Sequence, residues 1–253
     1  MNTLLLEAHN GVLHITLNRP HCRNAMSLEM VNELRAVLAQ LDSQVRAIVI
    51  SGAGGHFCAG ADVKDLVTAG DQLVALNRAF GSLLQEAEAV SPVVIVVLQG
   101  AVLGGGFGLA CVSDIAIAEG TAQFGLPETS LGLLPAQIAP FVVRRVGLTQ
   151  ARRLALTAAR FDGVEAGRLG VVHFVEDDGQ ALAERLDEVL GQVLRCAPGA
   201  NARTKALLLA SVERPLEPLL DQAAQWFAEA VTGEEGIEGT QAFVHKRKPG
   251  WCK

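Results

Sequence analysis

From Ala89 to Ser113 the chain carries no charged side chain, and this run limits the fold more than any other stretch. It is long enough to cross a bilayer. However, Pro92, Gln99 and five glycines (100, 104, 105, 106 and 108) interrupt it, so no membrane span is expected. It reads instead as a strand, Val93 to Leu98, followed by a glycine loop and the start of a helix. A strand this uniformly apolar must be buried on both faces, as in a largely parallel sheet covered on both sides. The consecutive glycines Gly104, Gly105 and Gly106 cost backbone entropy and bury no side chain. Something therefore approaches this backbone closely.

The surrounding pattern agrees with a layered α/β protein. Val12–Leu17 alternates apolar and polar residues as a half-buried strand does. A helix follows, with Ser27 as its expected N-cap and Leu28, Val31, Leu34, Leu38 and Leu41 on one face. "VRAIVISGAG" reads as a strand running into glycines. Residues 72–90 read as a helix with Leu73, Leu76, Phe80, Leu83 and Ala87 aligned. "DIAIAE" and residues 171–176 read as the remaining strands. From Gln180 onward the pattern is helical, broken at Pro198, Pro215 and Pro218. Strands alternate with helices to about residue 195, then helices alone continue, which gives the class α/β with a C-terminal helical piece.

Composition narrows the function classes. The 253 residues suffice for one large core. Net charge is −6, only 4% of residues are aromatic, and Tyr is absent. A nucleic-acid partner is therefore not expected. The five cysteines are scattered and form no CxxC pair, so they read as reduced thiols of a cytoplasmic protein. The N-terminal "MNTLLLEAHNG" lacks the basic segment of a signal peptide. There is no GxGxxG, GxxxxGK[ST], HExxH or GxSxG, and no histidine stands at metal-ligand spacing. No metal site is expected.

Two glycine turns and one carboxylate remain. "SGAGGHFCAGAD" (51–62) and "QGAVLGGGFGLA" (99–110) each follow a buried strand. Backbone N–H groups at a helix start have no internal partner and point outward with the positive end of the dipole. Two such loops side by side would aim two donors at one oxygen, an oxyanion hole. The same glycines would also serve tight turns and close helix–sheet packing. Glu128 lies in "AQFGLPETSLGLLP" as the only charged residue between Gln123 and Val143. It is either a first-turn helix residue after Pro127 or a buried acid/base with a raised pKa. Cys58 and Cys111 flank the loops without a basic partner and read as buried packing. His56 reads as a loop residue, and Asp65 and Asp71 as surface helix residues.

The chain resembles the crotonase, or enoyl-CoA hydratase/isomerase, superfamily along nearly its whole length. The likeness is carried by "LNRPHCRNAMS", "FCAGADVKDL", "GAVLGGGFGLACVSDIAIA", "QFGLPETSLGLLP", "ALTAARFDGVEAGRLGVVHFV" and "AFVHKRKPGW". The resemblance implies repeated β-β-α units in a core carrying the CoA and active sites (residues 1–195). A C-terminal helical region (196–253) would build homotrimers, often paired into hexamers. It also implies an acyl-CoA thioester substrate, with coenzyme A as part of that substrate and no other cofactor. The oxyanion donors match the N–H groups of Ala61 and Gly105. Ala61, Asp62, Val63 and Lys64 match the CoA-contacting segment, and Glu128 matches a catalytic carboxylate. The basic residues Lys246–Lys248 fall where relatives reach the CoA phosphates; by composition alone they are a solvated charge run.

One departure stands out. Where two-carboxylate hydratases of the family carry their second acid, this chain has Gly108. After Pro135 it has "AQIAPFV" in place of a "GxGGTQ"-like run. These features resemble bacterial hydratases of 3-methylglutaconyl-CoA and isohexenylglutaconyl-CoA, esters met in leucine and acyclic-terpene breakdown. Gln137, Arg144 and Arg145 are the candidate partners for such a substrate's second carboxylate. Two alternatives stay open. One is an enoyl-CoA isomerase that shuttles a proton on Glu128 alone, and the other is a non-catalytic scaffold or binding protein.

Overall fold

The structure, a computed structural model, describes residues Met1–Cys252. The chain order is β1 (Leu4–His9), β2 (Val12–Leu17), α1 (Leu28–Ala39), β3 (Ala47–Gly52), α2 (Val63–Thr68), α3 (Leu73–Ala89), β4 (Val93–Leu98) and β5 (Ala101–Leu103). It continues through α4 (Gly105–Val112), β6 (Ile115–Glu119), β7 (Gln123–Gly125), α5 (Ala139–Thr157), β8 (Arg160–Asp162), α6 (Gly163–Arg168) and β9 (Phe174–Glu176). Helices α7 (Gly179–Leu194), α8 (Pro198–Ala210), α9 (Leu216–Thr232) and α10 (Glu234–Val244) complete it.

A six-stranded sheet runs in the order β1-β2-β3-β4-β6-β9, antiparallel only between β1 and β2. The uncharged strand β4 lies inside it, between β3 and β6. Val94, Val96 and Leu98 enter a core shared with α1, α3, α4 and α5. Ile95 and Val97 face the other way, with Leu182, Val189 and Val193 of α7. Burial on both faces is what the unbroken apolar run required.

The second sheet, β5-β7-β8, holds the glycine loop. Leu98 and Gly104 are separated by β5, a strand that the glycine pattern concealed. Segment 57–58 lies alongside it, with Phe57 N–H on Gln99 O (2.8 Å), Cys58 N–H on Ala101 O (2.8 Å) and Leu103 N–H on Cys58 O (2.9 Å). The two glycine turns therefore run parallel and adjacent. Phe107, Phe124 and Phe161 pack ring against ring at 5.6–6.3 Å and fix α4 on this sheet.

Ser27 caps α1, its Oγ accepting from Met30 N–H at 3.2 Å. Helix α1 ends at Ala39, so Leu41 lies beyond it. In α3 the core-facing residues are Gly81, Leu83, Leu84 and Ala87, while Leu73 is exposed. The first turns of that helix leave the core. The strand expected over 171–176 is shorter: Val171 and Val172 are buried loop residues and only Phe174–Glu176 pairs with β6. Pro198 and Pro215 stand at the starts of α8 and α9, where a missing N–H costs nothing.

Lys205 of α8 joins the C-terminal helices to the sheet. Its ammonium contacts Asp114 (2.7 Å) and Pro92 O (3.1 Å). Arg46 donates to the carbonyls of Leu194 (2.7 Å), Cys196 (2.8 Å) and Trp251 (2.9 Å). Among the described residues no helix is long and apolar enough to cross a membrane.

Candidate active site

The orientation of two peptide groups is fixed by what their carbonyls do. Gly60 O accepts the N–H of Met26 at 2.8 Å. In a trans peptide the carbonyl and the next N–H point opposite ways, so Ala61 N–H is turned away from that bond. Gly104 O accepts from Gly108 N–H at 2.9 Å as the first turn of α4 closes, and Gly105 N–H points out of the helix start in the same manner. Neither N–H has an acceptor among the described residues. The two turns touch, since a Cβ on Gly104 would lie 3.4 Å from Gly60 Cα.

Glycine is needed at 104 for two reasons. Its φ is +46°, and a side chain would stand 2.8 Å from Glu128 Oε1. This contact also locates Glu128 against the Gly104 turn. Its position is that of a first-turn residue, and it is also partly buried. Glu128 opens the 3-10 turn Glu128–Leu131, directly after Pro127, and it is half-buried. Burial raises its pKa, opposed by its own backbone N–H and by Arg160. Glu128 Oε2 is buried without a hydrogen-bond partner. A carboxyl with its pKa raised in this way suits a group that takes and returns a proton.

Gly106 admits the neighbouring turn: a Cβ there would be 2.7 Å from Cys58 Cβ and 2.9 Å from Cys58 O. Cys58 is buried, with Gly60 N–H on its Sγ at 3.4 Å. Burial pushes its thiol up to about 11 and that of Cys111 up to about 12, so neither is a ready nucleophile. At Gly108 a side chain would meet Leu84 Cδ1 at 3.2 Å and Ile138 at 3.4 Å. The position that would carry a second acid is thus walled by aliphatic groups, and Phe80 stands over Gly105.

Asp62 caps α2, accepting from Lys64 N–H at 3.0 Å, and pairs with Arg19 at 2.8 Å. Burial works to raise its pKa, but the Arg19 and Lys64 contacts bring it below the usual range. Val63 and Lys64 follow on the exposed first turn of α2.

Several residues differ from the sequence expectation. His56 is structural, its Nδ1 accepting from Ala101 N–H at 3.1 Å and so positioning β5. Asp65 holds Leu28 N–H at 2.7 Å at the start of α1. Arg144 is paired with Glu88 and Glu213, and Arg145 is bound to Val171 O and Ser113 O. Both arginines are committed to contacts remote from Glu128. In the basic tail, Arg247 is held by Glu238. Gln137 donates to Asn77 Oδ1 of α3 at 3.0 Å.

Two outward N–H groups beside one desolvated carboxyl define a site for reactions that place negative charge on a carbonyl oxygen. Residues 7–253 match the family described as enoyl-CoA hydratase/isomerase. The chain is similar to mevalonyl-coenzyme A hydratase sidH of Aspergillus fumigatus, 35% identical over 95% of this chain and 91% of that protein. It is similar to the 2,3-dehydroadipyl-CoA hydratase of Escherichia coli, 32% identical over 98% of each. Its structure resembles that of Pseudomonas aeruginosa AtuE, at TM-score 0.98 and 67% identity over 99% of this chain and all of that one. The chain belongs to the enoyl-CoA hydratase/isomerase family, and it is a crotonase-fold enzyme of the hydratase type with an acyl-CoA substrate.

Proposed function

We propose that the enzyme adds water across the double bond of a branched, carboxylated 2-enoyl-CoA, of the 3-methylglutaconyl or isohexenylglutaconyl type, with Glu128 as its acid/base. The single observation carrying this is the half-buried Glu128 carboxyl against the Gly104 turn, with Gly108 walled by aliphatic side chains where a second acid would stand. The thioester oxygen lies on Ala61 N–H and Gly105 N–H. Glu128 removes a proton from water as its oxygen bonds to the β-carbon, and the electron pair of the double bond moves to the thioester oxygen. The protonated Glu128 then returns its proton to the α-carbon, and the enolate collapses. Coenzyme A enters as part of the substrate and the balance of atoms needs no other cofactor. Asp62, Val63 and Lys64 border the thioester turn and are assigned to the CoA moiety.

The aliphatic wall of Leu84 and Ile138 suits a substituent on the β-carbon, where a charged acid would be poorly solvated. The names of two relatives fit a substrate with a second polar end: adipic acid, in one of them, is a diacid. The isomerase reading draws on the same observation, since one base suffices to move a proton between carbons. Crotonyl-CoA, a 3-enoyl-CoA and 3-methylglutaconyl-CoA offered separately in deuterated water separate the two. Gain of one water on the glutaconyl ester is expected. A shifted double bond with deuterium exchanged into carbon and no added water would make it an isomerase.

The C-terminal helices expose Leu208, Leu216, Leu220, Phe227, Val231, Ile237 and Phe243. So much exposed apolar surface fits an interface between copies. We assign it to a trimer or hexamer. Light scattering of Phe227→Asp should then give a smaller particle than wild type; an unchanged mass would remove Phe227 from the interface.

A further inference from the structure

We propose that Arg78, with Asn77 and Gln137, forms a subsite for a carboxylate at the far end of the acyl group. The proposal rests on the carboxylated-substrate reading above. The residues lie on the two walls beside the catalytic turns. Phe80 of α3 stands over Gly105, and Leu84 of α3 and Ile138 both stand against Gly108. Gly81 is the residue between these α3 contacts, and it is kept bare: a Cβ there would be 1.9 Å from Gln137 Oε1 and 2.9 Å from Arg78 Nη1. An amide and a guanidinium thus converge over one backbone position, next to the side chain that covers the oxyanion turn.

The donors in this cluster are only partly used. Arg78 Nη2 donates to Gln85 Oε1 at 2.8 Å, and Nη1 has no acceptor among the described residues. Asn77 accepts from Gln137 through Oδ1, while its own Nδ2 donates to nothing described. Among the described residues no carboxylate lies within ion-pair distance of Arg78, whereas Arg144 and Arg145 are both engaged elsewhere. The free Nη1 of a guanidinium, with the unused Asn77 Nδ2 on the same helix, offers a carboxylate a positive charge and hydrogen-bond donors. Gly81 is what lets Gln137 and Arg78 approach each other, so the subsite is built by α3 and the 135–138 loop together.

The test compares kcat/KM on 3-methylglutaconyl-CoA and 3-methylcrotonyl-CoA, which differ by the carboxylate, in wild type, Arg78→Met and Arg78→Lys. Arg78→Met should lose roughly ten- to a hundredfold on the glutaconyl ester, the scale of a charge-assisted hydrogen bond, and little on the methylcrotonyl ester. Arg78→Lys, which keeps the charge without the fork, should fall between. Equal losses on both esters, or no loss on either, would overturn the subsite while leaving the carboxylated-substrate reading intact. Wild-type enzyme that hydrates crotonyl-CoA but not the glutaconyl ester would overturn that reading and this inference with it.

Discussion

At the scale of single residues the proposed site depends on Glu128 and on the places where a side chain is forbidden. Glu128→Gln keeps the shape but cannot carry the proton. It should lower kcat by roughly 10²- to 10⁴-fold, the usual share of general acid–base catalysis; a loss under tenfold would remove Glu128 from the proton path. The same carboxyl has a pKa raised by burial, so the acid limb of the kcat/KM profile should lie above the ordinary carboxylate range and vanish in the variant. The raised pKa also gives a stability effect of known sign. A carboxyl whose pKa is higher folded than unfolded favours the folded state while protonated. That contribution is complete below the unfolded pKa and is lost as pH rises through the folded one. Glu128→Gln should therefore melt higher than wild type at pH 8, with the difference closing toward pH 4. A difference independent of pH would contradict the burial of this carboxyl.

At the scale of elements, the proposed oxyanion geometry is a property of two turns held together. The 57–58 segment pairs with β5, and α4 begins immediately beyond. Gly106→Ala keeps helix propensity and would even raise it, but its methyl group would enter the 2.7 Å gap to Cys58 Cβ. The two turns must separate, and Ala61 N–H and Gly105 N–H with them. We expect a loss of kcat on the order of tenfold or more, as losing one oxyanion donor costs about 10²- to 10³-fold, with near-wild-type far-ultraviolet circular dichroism. Full activity in Gly106→Ala would show that the spacing of the turns does not set the rate.

At the scale of the molecule, the C-terminal helices are tied to the sheet by few polar contacts. Lys205 is nearly buried and serves Asp114 and Pro92 O at once. Lys205→Met preserves the stem but leaves Asp114 half-satisfied. The expected cost is about 1–3 kcal/mol, read as a drop in Tm of roughly 2–4 °C per kcal/mol for a chain of this size. Because Lys205 is far in the chain from Glu128 and touches neither glycine turn, kcat of the folded enzyme should be unchanged. A fall in kcat with no change in Tm would mean that α8 communicates with the site.

The sequence alone determined the local physics. Period-2 and period-3.6 hydrophobicity placed α1, α3 and β2, because those patterns follow from which face meets the core, and an unbroken apolar run placed the doubly buried β4. The lone charge of Glu128 in an apolar window, and the glycines at 104–106, pointed to the turns proposed as catalytic for the same reason: a carboxylate and a bare backbone are costly there unless used. Short-range pattern could not reveal β5, a three-residue strand supported by pairing with β7 and with segment 57–58, nor the split of residues 171–176 into buried loop and strand. Nor could it decide the fates of the arginines. Arg144 and Arg145 look equal to any other cation in sequence, yet tertiary contacts commit both, while Arg78 retains a free donor over Gly81. Which donors are spent and which are left over is a matter of distances between segments far apart in the chain, and only the folded structure sets those.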